Sequence, residues 1–180
     1  VEFPQNEHTT PLNSRLPYAI VKNVWEAFFK SYQKEYNLDY TIFRFFNTYG
    51  PGQSTDFVVP RFINLALSGE DIQIYGNGSQ TRTFCFIDDN IEATRRIFEE
   101  GHFINDVVNI GSNIEVSVLD LAKRVINMTG SISKIVHLPA LEEGDMTRRQ
   151  PDNSKMLEIL KRPLKNIDEG IEILIKEFKK

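Results

Sequence analysis

DYTIFRFFNTYGPGQ, residues 39–53, is the stretch that sets the fold class. Its first nine residues are rich in β-branched and aromatic side chains, which fit a pleated and largely buried surface, so they predict a strand. The strand runs into TYGPGQ, a glycine-proline loop at its carboxyl end. In open α/β sheets that end is where ligand sites collect. Before it, residues 17–36, PYAIVKNVWEAFFKSYQKEY, predict a helix. Pro17 suits a first helical turn, where its missing N–H costs no intrahelical bond. The apolar residues of this helix form two stripes: Ile20, Val24, Ala27 and Phe28, and then Trp25, Phe29, Tyr32 and Tyr36. That is more aromatic surface than one core-facing stripe needs, so the helix is expected to be covered on two sides, by its own core and by a partner subunit.

After the loop, VVPRFINLALSG predicts a helix, DIQIYG a strand, NGSQ a turn and TRTFCFI a strand. DDNIEATRRIFEE follows as a helix that Asp88 or Asp89 is expected to cap. DVVNIG, SVLDLAKRVINMTG and SKIVHL then predict strand, helix and strand. A charged loop, EEGDMTRRQPDNSK, leads into a final amphipathic helix, DEGIEILIKEFKK. Strands that alternate with helices in this way indicate an α/β fold.

Composition narrows the function classes. The chain has 180 residues, 41% of them hydrophobic, enough for a sizeable core. A formal charge of −4 offers no basic field for nucleic acid. Cys85 is the single cysteine, which excludes an intrachain disulfide and suits a reducing cytoplasm. No apolar run approaches the roughly 20 residues of a membrane span, so a soluble protein is expected. His8, His102 and His137 show no metal-ligand spacing, and no metal is assigned. The opening VEFPQNEHTTPLNSRLP reads as a loop, and the chain is expected to begin inside something larger.

Tyr18 and Lys22 stand at i and i+4, on one face of the first helix. A lysine ammonium beside a phenol favours the phenolate and lowers a pKa of about 10 toward the range useful for proton transfer. Spacing alone leaves an ordinary solvated helix face as the competing reading.

The surrounding motifs add weight. PYAIVK, RFFNTYGPGQ, VVPRFINLALSGEDIQIYGNGSQTRTFCFIDD, VNIGS and RRQPDNSK, in this order, resemble the extended short-chain dehydrogenase/reductases that act on nucleotide sugars. The look-alikes are UDP-sugar 4-epimerases, UDP-glucuronate decarboxylases and dTDP-glucose 4,6-dehydratases. The resemblance implies an α/β chain forming the C-terminal part of a Rossmann-like enzyme together with its small substrate-binding domain. Residues 1–50 would complete the NAD-binding domain, and residues 51–180 would bind the nucleotide sugar, with about 81–110 returning to the Rossmann sheet. The family's glycine-rich NAD pyrophosphate loop has no counterpart in this sequence.

By the same resemblance, Tyr18 takes the proton of the sugar 4-hydroxyl, and Lys22 binds the nicotinamide ribose and depresses the tyrosine pKa. Hydride leaves sugar C4 for NAD, and its return to the other face after the 4-keto sugar rotates is epimerisation. Asn47 is placed on the sugar or diphosphate, or else closes the turn before YGP, and Arg82 is placed on the diphosphate, or else faces solvent. Val59, through backbone groups nearby, and the segment 71–75 ending at Tyr75 are placed around the base. Phe45 and Tyr49 either line the nicotinamide pocket or belong to the core. Arg149 or Arg148 closes over ribose or phosphate, or else both balance Glu142, Glu143 and Asp145. The family also commonly pairs as homodimers through the helix of residues 18–36.

Departures from these relatives bear on the reaction. Decarboxylases carry Pro-Arg-Met after NTYG and an arginine before the double valine, where this chain reads GPGQSTDFVVPRF. Galactose-type epimerases place an arginine before their EGD-like segment, where this chain has Glu143, and RRQPDNSK is closer to the decarboxylase pattern. A dehydratase would need an Asp-Glu pair upstream of Val1. The leading expectation is a UDP-sugar 4-epimerase, with decarboxylase or dehydratase as alternatives. A non-catalytic nucleotide-sugar-binding or dimerisation module is the rival of another class.

Overall fold

The computed structural model describes residues 4–8, 17–140 and 148–180, and of Tyr18 and Ala19 the backbone alone. Glu142, Glu143 and Asp145 lie outside the described residues. In chain order the elements are α1 (Pro17–Tyr36), β1 (Thr41–Phe45), β2 (Thr48–Tyr49), α2 (Val58–Leu67), β3 (Ile72–Tyr75), β4 (Thr81–Thr83) and β5 (Cys85–Phe86). They continue with α3 (Ile87–Glu99), β6 (Asp106–Ile110), β7 (Glu115–Ser117), α4 (Val118–Thr129), β8 (Ile135–Leu138), α5 (Ser154–Leu160) and α6 (Ile167–Phe178).

β1 pairs parallel to β6, from Thr41 opposite Asp106 to Phe45 opposite Ile110. β2 with β5 and β3 with β8 are also parallel, and β4 with β7 is antiparallel. Parallel pairing needs crossover connections, which the intervening helices supply. The α/β class expected from the alternation is therefore the observed one.

Two hydrophobic cores form. The smaller gathers Cys85, Ala93 and Ile97 with Val108, Met156 and Leu160, from β5, α3, β6 and α5. The larger gathers α2, α4 and α6 around β3, with Phe62, Ile72, Leu121 and Leu174 fully buried. TRTFCFI threads between them, and this corrects its reading as one strand. Thr83 through Phe86 are four consecutive buried residues, which a single half-buried strand with period 2 does not produce. Phe84 and Phe86 enter the larger core while Cys85 enters the smaller. The chain accordingly breaks into β4 and β5 at Phe84 and changes partner.

Three local readings change as well. α3 starts at Ile87 with Phe86 at the N-cap, so neither Asp88 nor Asp89 caps it; both lie in the first turn. SKMLEIL, assigned in part to a loop, is helical: Met156, Ile159 and Leu160 repeat at helical spacing and are buried. The three-residue strand β7 was not expected; it exists by pairing with β4.

Helix ends follow ordinary capping chemistry. Ser117 Oγ accepts the Asp120 N–H at the start of α4, and Gly130 closes it at φ 65°. Asn166 and Glu169 form a reciprocal capping box on α6. α1 is fastened to β1 by a fork: Arg44 Nε and Nη2 donate to the two carboxylate oxygens of Glu26, each at 2.7 Å. Among the described residues no helix is long and apolar enough to cross a membrane.

Candidate active site at the carboxyl ends of β1 and β6

The β1–β6 ladder continues one residue past the strand, where Phe46 N–H donates to the Ile110 carbonyl at 2.9 Å. Phe46 is buried, and a Cβ on Gly111 would stand 2.7 Å from Phe46 Cβ, so only glycine lets the two strand ends approach this closely. The chain then turns at Asn47, whose φ of 35° lies in the left-handed region that asparagine tolerates better than most residues. Asn47 Nδ2 donates to the Thr83 carbonyl at 2.9 Å, and the Asn47 carbonyl accepts the Cys85 N–H at 3.2 Å. The turn is thereby tied to the segment that carries Arg82.

Arg82 lies on β4 beside Thr83 and donates from Nη1 to the Thr81 carbonyl at 2.7 Å. Arg149 reaches the same neighbourhood from the far end of the sequence, its guanidinium carbon 5.2 Å from the Phe46 ring centroid. Its neighbour Arg148 is committed elsewhere: Nε and Nη2 donate to the Glu115 oxygens at 2.8 and 2.7 Å. That pairing holds the Glu115 carboxyl below the usual carboxylate range. The basic pair read from the sequence thus divides: Arg149 lies against Phe46, the residue before Asn47, and Asn47 is bonded to Thr83, the residue after Arg82. Planar guanidinium forks suit the oxygens of a phosphate or diphosphate.

The other expected site residues fall in different places. Lys22 is exposed on α1, four residues after Tyr18, whose side chain lies outside the described residues. Phe45, half exposed at the end of β1, has its ring 6.2 Å from that of Phe43 and tilted to it. Tyr49 takes the core alternative: it is 2% exposed and packs edge-on against Phe84 and Phe86. Burial pushes its phenol well above the ordinary value, and its hydroxyl finds no hydrogen-bond partner among the described residues. Val59 is buried in the first turn of α2, which leaves only its backbone for a ligand. Tyr75 is exposed at the end of β3; its carbonyl accepts Gln80 Nε2, and the next carbonyl, that of Gly76, bonds His137 Nδ1 at 2.8 Å.

Sequence reading missed the roles of several supporting polar groups, Asp89 having been read as a helix cap. Asp89, 1% exposed, accepts from Arg162 Nη1 at 2.7 Å and from the Lys165 N–H at 2.8 Å, so it anchors the entry to α6. Glu7, also buried, accepts the Asn109 N–H at 3.0 Å, while Asn109 Nδ2 donates to the carbonyls of Gln5 and Asp152. An asparagine inside the apolar strand DVVNIG was the available signal, because a buried amide demands partners. Burial pushes the Cys85 thiol up to about 12, so it is a packing residue and not a nucleophile.

Residues 1–111 match the model of the NAD dependent epimerase/dehydratase family. A UDP-N-acetyl-alpha-D-glucosaminuronate decarboxylase of Bacillus cytotoxicus is 36% identical over 176 residues, covering 92% of this chain and 54% of the relative. The solved UDP-glucose 4-epimerase of Thermotoga maritima with UDP-glucose superposes with a TM-score of 0.90 at 31% identity, over 99% of this chain and 58% of that one. UDP-glucuronic acid 4-epimerase of Bacillus cereus, in complex with UDP-glucuronic acid and NAD, gives 0.82 at 30% identity over 91% and 52%. The chain therefore spans about half the length of the proteins it matches. On both the family match and the shared fold, the chain belongs to the NAD-dependent epimerase/dehydratase family of extended short-chain dehydrogenase/reductases.

Proposed function

We propose that this chain supplies the nucleotide-sugar side of an NAD-dependent epimerase/dehydratase, together with its Tyr-x-x-x-Lys pair, and that the reaction is 4-epimerisation of a UDP-sugar. The observation that carries this reading is that Asn47, past the end of β1, is bonded to the backbone beside Arg82 while Arg149 lies against the neighbouring Phe46. Arg82 and Arg149 bind the diphosphate, and Asn47 fixes the sugar beside it. The first turn of α2 at Val59 and the end of β3 at Tyr75 enclose the base.

Tyr18 removes the proton of the sugar 4-hydroxyl, and Lys22 holds the phenol in the readily ionised form. The chemistry of the exposed groups fits the cofactor: the Lys22 ammonium suits ribose hydroxyls, and the half-exposed Phe45 ring suits a flat heterocycle. Tyr49, being in the core, is left out of the cofactor contacts. NAD, when bound, supplies hydride transfer to and from sugar C4. The two cores support a division in which residues 1–50 serve the cofactor side and 51–180 mainly the sugar side. Residues 81–110 return to the former through β5, α3 and β6.

The proposal extends to a homodimer packed through α1 and to a cytoplasmic location. Trp25, Phe28 and Tyr32 are each more than half exposed on that helix, a concentration of apolar surface that a second copy would cover.

The deciding experiment incubates the protein that carries this chain with UDP-glucose and UDP-glucuronate and follows the sugars by NMR. Interconversion of 4-epimers is the expected result. Carbon dioxide release would replace it with decarboxylation, the second reading, which RRQPDNSK and the 36%-identical decarboxylase favour. Formation of a 4-keto-6-deoxy sugar from the dTDP substrate would indicate a dehydratase. Nucleotide-sugar binding without turnover would leave a binding module.

A further inference from the structure

Glu115 has a position that the nucleotide-sugar reading does not by itself explain. It stands on β7 opposite Thr83 of β4. Its Oε1 accepts Thr81 Oγ1 at 2.7 Å and Arg148 Nε at 2.8 Å, and its Oε2 accepts Arg148 Nη2 at 2.7 Å. One carboxylate thus fastens both segments that bring an arginine to the candidate site: Thr81 precedes Arg82, and Arg148 precedes Arg149. The second segment is held further by Arg148 Nη2 to Gln150 Oε1 at 3.0 Å and by Gln150 Nε2 to the Asn113 carbonyl at 2.8 Å.

A carboxylate this near an anion site opposes the ligand's charge unless it is neutralised. The two-pronged pairing with Arg148 neutralises it and fixes its direction. Glu115 and Arg148 together therefore contribute position without net charge. The guanidiniums proposed for the diphosphate are those of the adjoining residues, one of them seated on the Phe46 ring.

We propose that Glu115 is a positioning residue of the nucleotide-sugar site: through Arg148 it holds Arg149 over Phe46, and through Thr81 it sets the strand that carries Arg82. This rests on the functional reading above. It assigns the two adjacent arginines different jobs, Arg148 as tether and Arg149 as diphosphate contact.

The test measures UDP binding by titration calorimetry in the protein that carries this chain, for the wild type, Glu115→Gln, Arg149→Ala and the double variant. Glutamine keeps an acceptor for Thr81 but cannot complete the ion pair. Glu115→Gln is expected to weaken UDP about tenfold, the scale on which displaced positioning groups act. In turnover the loss should sit in KM, with kcat changed less than about twofold, because the contact is equal in ground and transition states. In the Arg149→Ala background the same substitution should change affinity less than about twofold, since its main route has already been removed. Unchanged affinity in Glu115→Gln, tighter binding, or a full tenfold loss that persists without Arg149 would each overturn the proposal. Should Glu115→Gln fail to fold, Glu115→Gln/Arg148→Gln removes the ion pair and both of its charges together and must show the same dependence on Arg149. A wild type that does not bind UDP would instead overturn the functional reading, and this inference with it.

Discussion

Lys22 presents its ammonium on the exposed side of α1 and contributes nothing to either core. Lys22→Met is therefore expected to lower kcat by about 10²-fold or more, the range for loss of assisted proton transfer, and to move folding stability by less than about 1 kcal/mol, the range for an exposed charge and its surface contacts. Steady-state kinetics beside a urea titration would separate the two. Asn47, Arg82 and Arg149 were singled out because each sits inside a motif whose order along the chain is informative, and their ligand contacts belong to the proposal above. Tyr49 shows the limit: it lies two residues from Asn47, but a motif does not say which way a ring points, and this ring points into the larger core. Glu115 was illegible because its partners, Thr81 and Arg148, are 34 and 33 residues away. Only the fold makes them neighbours.

Among elements, the Glu26–Arg44 fork ties α1 to β1, with side-chain exposures of 11% and 19%. Truncating one partner strands the other charge in a poorly solvated place. Glu26→Ala is expected to destabilise by about 3 kcal/mol or more, read from the unfolding midpoint. α6 makes a different demand. A Cβ on Gly170 would fall 1.9 Å from the Tyr49 hydroxyl and 2.6 Å from its Cζ. Gly170→Ala should therefore destabilise by about 1–3 kcal/mol through overpacking, against a helix-propensity gain of about 1 kcal/mol. Tyr49→Phe removes a buried hydroxyl that has no partner among the described residues and should itself be close to neutral. Combined with Gly170→Ala it should restore part of the loss, because the ring carbon contact remains. Long periodic helices were legible at this scale. The break at Phe84 and helix α5 were not: the first depends on which core each residue enters, and the second is seven residues behind a charged run.

For the whole molecule, acid is the condition that should loosen the carboxyl-terminal segment first. The Ser154 N–H holds the Asp152 carboxyl below its ordinary range, and Arg148 does the same to Glu115. Their folded pKa values lie below the unfolded ones, so their stabilisation is complete above about pH 4–5. It is lost as pH falls through the lowered folded values. The thermal midpoint should hold from pH 7 to about 5 and then decline, and Asp152→Asn should flatten that decline in a pH series of melting curves. Self-association belongs to this scale too. Trp25→Glu on the exposed stripe of α1 should weaken dimerisation about tenfold or more in sedimentation, as loss of a central aromatic anchor does.

The stitch between the two ends of the described chain has a consequence in time. Gln5 N–H donates to the Gln150 carbonyl, and the Asp152 N–H donates back to the Gln5 carbonyl. At synthesis speeds of roughly 5–20 residues per second, the ribosome makes the second strand of this stitch about 7–30 seconds after the first. Throughout that interval the Asn109 amide, once made, lacks its Asp152 acceptor, so the carboxyl end of β6 stays hydrated. The arginine at position 149 belongs to the same late arrival. The end of the sheet where the ligand is proposed to bind thus stays open until residues 149–152 have been made.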